Sequence, residues 1–266
     1  MYGFCNIAFI PIRVAASHRA EMVTQLLFGE VYRIVDYQQT TGWAEIVTQY
    51  DDYKGFIDIN QIALIHESVY EKYAKNLFQV LPASMVVFDK IRNFSFLVSA
   101  GSSLLLNEDN TMRLGTELFE IPILPKQKTV DLKQIAYSFL NTPYLWGGRT
   151  MYGIDCSGFT QIVFKIMRRR LPRDASQQAV LGEKITALSQ TQCGDLAFFQ
   201  NKDGRITHTG LILGNLQRSK INNKIIIHAS GKVRIDVLDE HGIFCVERNE
   251  HSHVLHSVRR IDYSAH

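Results

Sequence analysis

A glycine-rich stretch that runs into an apolar helix, between residues 144 and 167, constrains this chain's fold more than any other segment. Gly147, Gly148 and Gly153 allow the backbone to turn sharply, and Asp155 stands where a helix N-cap is expected. Apolar residues then recur at helical spacing: Phe159, Ile162, Val163, Ile166 and Met167. The pattern predicts a loop that delivers Cys156 to the first turn of a helix with an inward-packing side.

Cys156 is a candidate nucleophile because of this position. A thiol at a helix N-terminus lies at the positive end of the aligned peptide dipoles, which favours the reactive thiolate. The alternative is a structural cysteine, since a lone cysteine in an apolar helix usually serves as a small buried hydrophobic residue. Taken alone, the segment favours the structural alternative, and two histidine segments further along the chain reverse that preference.

Composition excludes few classes of protein, but the length of the chain limits the number of domains. The chain has 266 residues, of which 46% are hydrophobic and 21% charged, as is ordinary for a soluble globular protein of one large domain or two to three small ones. A net charge of +3 is too small to indicate a nucleic-acid partner. The basic run Arg168-Arg169-Arg170 follows the predicted helix, where cations complement the helix dipole, so we expect no nucleic-acid binding.

Cysteine usage and hydropathy bear on location. The four cysteines form no CxxC pair, which indicates reduced thiols rather than a disulfide framework. No apolar run approaches the roughly 20 residues that a membrane crossing needs, and residues 1–11 lack the features of a signal peptide. We therefore expect a cytoplasmic protein without membrane insertion, or a periplasmic or secreted one if a leader was removed.

The first 125 residues have the chemistry of short strands. Four predicted strands (9–14, 31–36, 44–48 and 55–59) are separated by polar turns, as in a small barrel. A second set (84–88, 94–98, 103–106 and 116–121) follows, and a proline-containing segment at 121–125 indicates a linker. We predict three domains, with bounds 1–66, 67–125 and 126–266.

The pattern changes after the linker. Helical spacing is found at 130–140 and again after Cys156, and Asp174 or Ser176 could cap a short helix that runs to residue 181. Strands are then predicted at 194–199, 207–213, 224–229, 232–237, 242–246 and 253–261. Helices followed by a strand-rich sheet predict an α+β domain in which helices pack on an antiparallel sheet.

His208 opens one predicted strand and His228 closes the next, so the simplest pairing is an antiparallel hairpin. If its turn centres near Arg218, the two histidines lie opposite each other, about 5 Å apart at Cβ. One imidazole could then take the thiol proton while the second orients the first. The three side chains could also ligate zinc, but zinc ligands usually come in close pairs, so we expect no metal. His251, His253 and His256 lie in a polar segment and are interpreted as solvated.

These motifs together resemble a known family. Tyr144–Gly148, Asp155-Cys156-Ser157-Gly158-Phe159, Gly194-Asp195-Leu196, His208-Thr209-Gly210 and Ile227-His228-Ala229-Ser230 resemble, in order, the NlpC-type papain-like bacterial cell-wall cysteine peptidases. The resemblance covers about residues 126–266. It implies Cys156 as nucleophile, His208 as base, His228 as the orienting residue and Tyr144 as support for the oxyanion, without a cofactor.

The preceding segments resemble bacterial SH3-like modules, two in number. The arrangement is similar to a subgroup that cleaves γ-D-glutamyl-diamino acid bonds in murein peptides with a free N-terminal L-alanine. The resemblance implies substrate contacts from six residues: Glu21, Tyr53, Asp155, Ser157, Asp174 and Ser176. Many relatives have a hydroxyl residue directly after the Arg-Asp pair, whereas this chain has Ala175 and only then Ser176.

Two other functions remain open from the sequence. The same cysteine and histidines could serve a cell-wall amidase or an acyltransferase. The SH3-like modules could also belong to a protein that binds murein peptides without cleaving them. We expect a monomer in each case.

Overall fold

The chain divides into two compact units in a computed structural model that describes residues 1–122, 131–216 and 223–261. The N-terminal unit comprises Met1–Val130 and Trp146–Met151, and the cysteine unit comprises Asp131–Leu145 and Tyr152–His266. Residues 123–125 of the linker predicted at 121–125, the predicted helix start at 130 and the predicted hairpin turn at Arg218 lie outside the described residues. The predicted domain bounds at 66 and 125 stay predictions.

The N-terminal unit is built almost entirely from strands. Its elements are β1 (Tyr2–Phe4), β2 (Phe9–Arg13), β3 (Met22–Leu27), β4 (Val31–Gln38), β5 (Trp43–Thr48), β6 (Lys54–Asp58), β7 (Ala63–Ile65), α1 (Glu67–Ala74), β8 (Gln79–Val80), β9 (Met85–Asp89), β10 (Phe94–Val98), β11 (Ser103–Leu104), β12 (Thr111–Leu114), β13 (Glu117–Glu120) and β14 (Arg149–Thr150).

The first seven strands form one antiparallel sheet in the order β3-β2-β6-β5-β4-β1-β7. Alternating apolar residues explain it, because strands expose successive side chains on opposite faces. The inward set, which includes Ile10, Ile12, Ile34, Ile46 and Ile57, forms a buried core. All four strands predicted in this part of the chain are present, whereas β3, β7 and α1 were not predicted.

Strands β8 to β13 form two separate small sheets. Strands β10-β9-β13-β12 make a four-stranded sheet, and β11 pairs with β8. Phe28, Phe96 and Phe119 pack edge to face between strands of this region, with ring centroids 5.0 to 6.2 Å apart. The sequence prediction of a second SH3-like barrel here stays a prediction.

The cysteine unit combines short helices with a long antiparallel sheet. Its elements are α2 (Leu132–Ser138), β15 (Gly153–Ile154), α3 (Cys156–Ile166), α4 (Ala175–Gln178), β16 (Glu183–Ile185), β17 (Leu196–Gln200), β18 (Ile206–Asn215), β19 (Lys224–Ser230), β20 (Lys232–Leu238), β21 (Gly242–Cys245) and β22 (Glu250–Arg260). None of the helices in the described ranges is long and apolar enough to cross a membrane.

The sheet of this unit closes on itself. Its order is β16-β22-β17-β18-β19-β20-β21, and β21 also pairs with β22, so six strands form a barrel. The sequence predicted these strands but not the closure. Side chains from these strands, among them Phe199, Ile212, Ile226 and Leu238, form a buried hydrophobic core.

Helix α3 packs against the sheet through contacts with β18 and β19. Its residues are all buried, and Phe159 meets Phe139 edge to face at 5.9 Å. The helix begins where predicted, because the Asp155 carboxylate accepts the Gly158 N–H at 2.7 Å. It ends before Arg168, whose φ of 62° is left-handed. The fold thereby fixes the position of Cys156.

Candidate active site

Cys156 lies at the first turn of α3 and is only 6% exposed. Burial raises the pKa of its thiol to about 12, and the neighbouring Asp155 carboxylate adds to the effect. Contact with the Thr209 and Ser157 backbone and the charge of Arg173 act in the opposite direction. The sequence predicted that the helix terminus favours the thiolate, whereas burial of the sulfur acts in the opposite direction and favours the thiol. Thr209 directly follows His208, so the sulfur lies beside the strand that carries the predicted base.

Arg173 binds both residues that flank Cys156 in the sequence. Its Nη1 donates to Asp155 Oδ1 at 3.0 Å and to Ser157 Oγ at 2.8 Å, and its Nη2 donates to Asp155 Oδ2. All three side chains are buried. A buried guanidinium needs such partners, since an unpaired buried charge is costly. Sequence analysis assigned Asp155 and Ser157 to substrate; the structure shows that they also hold the first turn of α3.

Tyr144 lies half-buried in the loop before α3. Its N–H donates to the Gly231 carbonyl at 3.0 Å, and the residue forms a β-bridge with Ile154. Burial raises the pKa of the phenol, and the charges of Cys156 and Asp155 add to this. The hydroxyl is therefore protonated near neutral pH and available as a hydrogen-bond donor close to the thiol.

His208 and His228 meet as predicted, although not by the predicted register. Nε2 of His208 lies 2.8 Å from Nδ1 of His228, and both side chains are buried. Because Leu211 pairs with Ile227, His228 faces Gly210, and the two histidines are diagonal neighbours instead of direct partners. A Cβ at Gly210 would lie 2.9 Å from the His228 Cβ, so the glycine of the His-Thr-Gly motif makes room for His228.

A buried carboxylate that sequence analysis missed extends this pair. Nε2 of His228 lies 3.1 Å from Oδ2 of Asp236, which is only 2% exposed. Arg234 binds the same carboxylate through Nε at 2.7 Å and Nη2 at 3.2 Å. Since Asp236 pairs with Ile226, this step is again diagonal. The hydrogen-bond chain His208–His228–Asp236, which we call the relay, thus crosses three neighbouring strands, β18, β19 and β20.

Burial keeps both relay imidazoles neutral. It lowers the pKa of His208 well below the usual value, and His228 and His253 add to the shift. It also lowers the pKa of His228, although the hydrogen bond to Asp236 opposes this. A neutral imidazole has one nitrogen free to accept a proton, so His208 is in the form that a general base requires.

A third imidazole stacks on His208. The His253 ring lies 4.1 Å from the His208 ring at an interplanar angle of 23°, and Phe199 packs 5.8 Å from His208. The prediction that His253 is solvated is wrong: it is half-buried on β22. Register shifts occur at Phe199 in the pairing of β17 with both neighbours, and such bulges re-aim side chains. No residue pattern in the sequence signals either bulge.

The other residues assigned by resemblance lie in both units. In the N-terminal unit, exposed Glu21 accepts the Trp146 indole N–H at 2.5 Å, and half-buried Tyr53 lies in the turn before β6. In the cysteine unit, Asp174 is the N-cap of α4 and Ser176 is exposed on it. No group of His, Cys, Asp and Glu side chains in the described ranges is arranged to hold a metal ion.

A buried thiol at a helix N-terminus, next to a strand with an anchored imidazole, has the groups that nucleophilic catalysis by cysteine requires. Residues 141–245 match the NlpC/P60 family, and residues 12–62 match the bacterial dipeptidyl-peptidase Sh3 domain. The chain therefore carries an NlpC/P60 domain preceded by a bacterial SH3-like domain, as the sequence motifs implied.

Two relatives and one solved structure are similar over different lengths. A γ-D-glutamyl-L-lysine dipeptidyl-peptidase of Bacillus subtilis is 40% identical over 97 residues, which are 35% of this chain and 32% of that protein. Dipeptidyl-peptidase 6 of Lysinibacillus sphaericus is 24% identical over 83% of this chain and 86% of its own length. An NlpC/P60 family protein of Bacillus cereus has the same fold, with a TM-score of 0.74, 20% identity and coverage of 98% and 99%. The match to the Bacillus subtilis protein thus spans about a third of that protein's length.

Proposed function

We propose that this protein is a cysteine peptidase that hydrolyses the γ-D-glutamyl-diamino acid bond of murein peptides with a free N-terminal L-alanine, releasing L-Ala-D-Glu. The observation that carries the chemistry is the chain of hydrogen bonds from His208 through His228 to Asp236, next to the Cys156 helix. The similarity to proteins named for γ-D-glutamyl-L-lysine cleavage supports the choice of bond.

In the first half of the proposed reaction, the Cys156 thiol passes its proton to His208 as the sulfur attacks the γ-D-glutamyl carbonyl. Because burial opposes a free thiolate, the proton leaves during the attack and not before it. The carbonyl oxygen becomes an oxyanion. The Cys156 N–H at the helix N-terminus and the Tyr144 hydroxyl are the donors proposed to stabilise it.

In the second half, the imidazolium of His208 returns the proton to the departing amine of the diamino acid. The C–N bond breaks and a thioester between Cys156 and L-Ala-D-Glu remains. Water, deprotonated by His208, then attacks the thioester, and the released thiolate regains a proton. His228, anchored by Asp236, stabilises the imidazolium in both halves.

Recognition of a free L-alanine amine requires carboxylates, since an ammonium removed from water must be paired. The carboxylates proposed for this role are Glu21, Asp155 and Asp174, and Tyr53, Ser157 and Ser176 are proposed as further polar substrate contacts. Asp155 is already bound by Arg173, which lowers the negative charge it can offer to a substrate. The six residues stay predictions, which single substitutions and the KM of a free-amine peptide would test.

The test is a peptide panel with free and blocked N-termini, digested by the wild type and by Cys156→Ala. We expect L-Ala-D-Glu from free tripeptide with the wild type, little product from blocked peptide, and none with Cys156→Ala. Cys193→Ser, which removes an exposed cysteine, is the matched control and should keep full activity. Turnover by Cys156→Ala would exclude the mechanism. Release of muramic acid from L-alanine would indicate the amidase, and binding without turnover would indicate a peptide-binding protein.

Five further expectations belong to this proposal. Residues 67–125 would form a second, divergent SH3-like module, and the helices would pack as in papain-like peptidases. The protein would act as a monomer, in the cytoplasm, on peptides released by cell-wall turnover. Sedimentation of the purified chain tests the monomer, and fractionation of producing cells tests the location.

A further inference from the structure

Asp236 is the end of the relay and is poorly accessible to water. Its Oδ2 accepts from His228 Nε2 and Arg234 Nε, while its Oδ1 accepts from Arg234 Nη2 and from the Val246 N–H at 3.1 Å. Burial by itself would raise the pKa of this carboxyl, but the bonds from His228, Arg234 and Val246 outweigh burial and hold the pKa below its usual value. The group is therefore a carboxylate, which accepts hydrogen bonds and donates none.

An acceptor at this position determines where the protons of both imidazoles lie. Nε2 of His228 must carry a proton, because its partner is a carboxylate. In neutral His228, Nδ1 then accepts, so its partner, Nε2 of His208, must donate. A neutral His208 with a proton on Nε2 has none on Nδ1.

We propose that Asp236 is a positioning residue for the reaction proposed above: by holding the proton of His228 on Nε2, it leaves Nδ1 of His208 unprotonated as the base. The inference rests on the proposed function for its role in turnover, but the proton positions themselves do not depend on any substrate. Without the carboxylate, the opposite arrangement becomes available. His228 Nδ1–H then donates to His208 Nε2, the proton moves to Nδ1 of His208, and the base is lost.

Asp236→Asn changes the hydrogen bonding with minimal change of shape. If the amide NH₂ faces His228, it donates to Nε2 and enforces the opposite proton arrangement. If the amide oxygen faces His228, the NH₂ meets the Arg234 Nη2 and Val246 donors. In either orientation the amide NH₂ faces two donors: His228 Nε2–H and Arg234 Nε–H in the first, Arg234 Nη2–H and the Val246 N–H in the second. A proton shift in His228 removes one of the two conflicts in the first orientation, so that orientation is favoured.

The first measurement is ¹⁵N NMR of the histidine rings in the wild type, since protonated and unprotonated ring nitrogens have well-separated shifts. We expect protons on Nε2 of both His208 and His228 near neutral pH. A proton on Nδ1 of His208 in the wild type would overturn the proposal before any variant is made.

The second measurement compares Asp236→Asn with Asp239→Asn. Asp239 provides a matched control, because it also binds an imidazole, His251 Nε2 at 2.8 Å, outside the relay. Alkylation of Cys156 by iodoacetamide, in a Cys193→Ser background, is the readout that needs no substrate. We expect alkylation and peptide turnover to fall about 10- to 100-fold in Asp236→Asn, with KM nearly constant. Asp239→Asn should stay within about twofold of the wild type.

A merely structural role predicts different results. Arg234→Gln keeps the carboxylate beside His228, so the wild-type proton positions should persist even if stability falls. Asp236→Asn with wild-type ring shifts would overturn the proposal, whether or not its rates fall. If instead the wild type shows the expected shifts and rapid alkylation but cleaves no murein peptide, the proposed function fails and the role of Asp236 stands.

Discussion

At the scale of single residues, desolvation determines the resting state of the site. Burial raises the pKa of Cys156 and lowers that of His208, so both groups rest in their neutral forms. A neutral pair avoids the cost of two buried charges until a substrate carbonyl is present to take the electrons. Groups that orient the neutral imidazole therefore matter as much as groups that would stabilise an ion pair.

His253 is one such group, and its ring can be tested directly. The stacked ring excludes water from one face of His208 and restricts its rotation. Aromatic pairs of this kind contribute about 0.5 to 1.5 kcal/mol, so His253→Ala should lower kcat/KM about 2- to 10-fold. His253→Phe keeps a stacked ring and should retain most of the activity, as initial rates of peptide hydrolysis would show. Equal losses in the two variants would rule out stacking as the reason.

At the scale of elements, the strand register builds the relay. The chain from His208 to Asp236 needs two diagonal steps, and the first step needs a residue without a side chain opposite His228. Gly210 meets this need, with Ile226 Cδ1 and His228 Cβ lying 2.8 and 2.9 Å from where its Cβ would be. The motif glycine is thus explained by packing inside the sheet.

Gly210→Ala should therefore lower activity strongly, although it adds only one methyl group. The Ile226 methyl can rotate away, but the His228 Cβ is fixed to its strand, so the ring must shift from His208. We expect unfolding to become easier by about 1 to 3 kcal/mol and turnover to fall at least about tenfold. Gly204→Ala is the control: it has open space but a φ of +76°, so it should cost about 1 kcal/mol without loss of activity. Denaturant titration and hydrolysis rates measure the two effects, and full activity in Gly210→Ala would contradict the packing argument.

Local signals explain what the sequence could predict. The cap at Asp155 and the apolar spacing behind it located α3, and β-rich runs located most strands to within a few residues. The sequence missed what depends on long-range pairing: the barrel closure of β21 with β22, the diagonal register and the His253 stack. Asp236 was hidden for a physical reason. In β20 the apolar Ile235 is 39% exposed whereas the charged Asp236 beside it is buried, so hydrophobicity gives no sign of the buried carboxylate.

At the scale of the whole molecule, the buried histidines connect the site to stability. A histidine in an unfolded chain titrates near pH 6.5, whereas burial lowers the pKa of folded His253 to about 4 and also lowers those of His208 and His228. Between these values the unfolded state binds more protons than the folded state. The free energy of unfolding must then fall as the pH falls through this window.

The stabilising effect of neutral burial is fully present above about pH 6.5 and is lost progressively towards about pH 4. Calorimetric unfolding should therefore show a midpoint that decreases over this range, before the carboxylates with lowered pKa values, such as Asp236, begin to protonate. His253→Phe removes one of the three groups and keeps the ring, so its midpoint should fall less steeply than that of the wild type. The two proteins compared at about pH 8, where the three histidines are neutral in both the folded and the unfolded chain, provide the baseline. Parallel curves for both proteins down to pH 4 would show that His253 titrates alike in the folded and unfolded chain, and that its burial beside His208 carries no proton linkage.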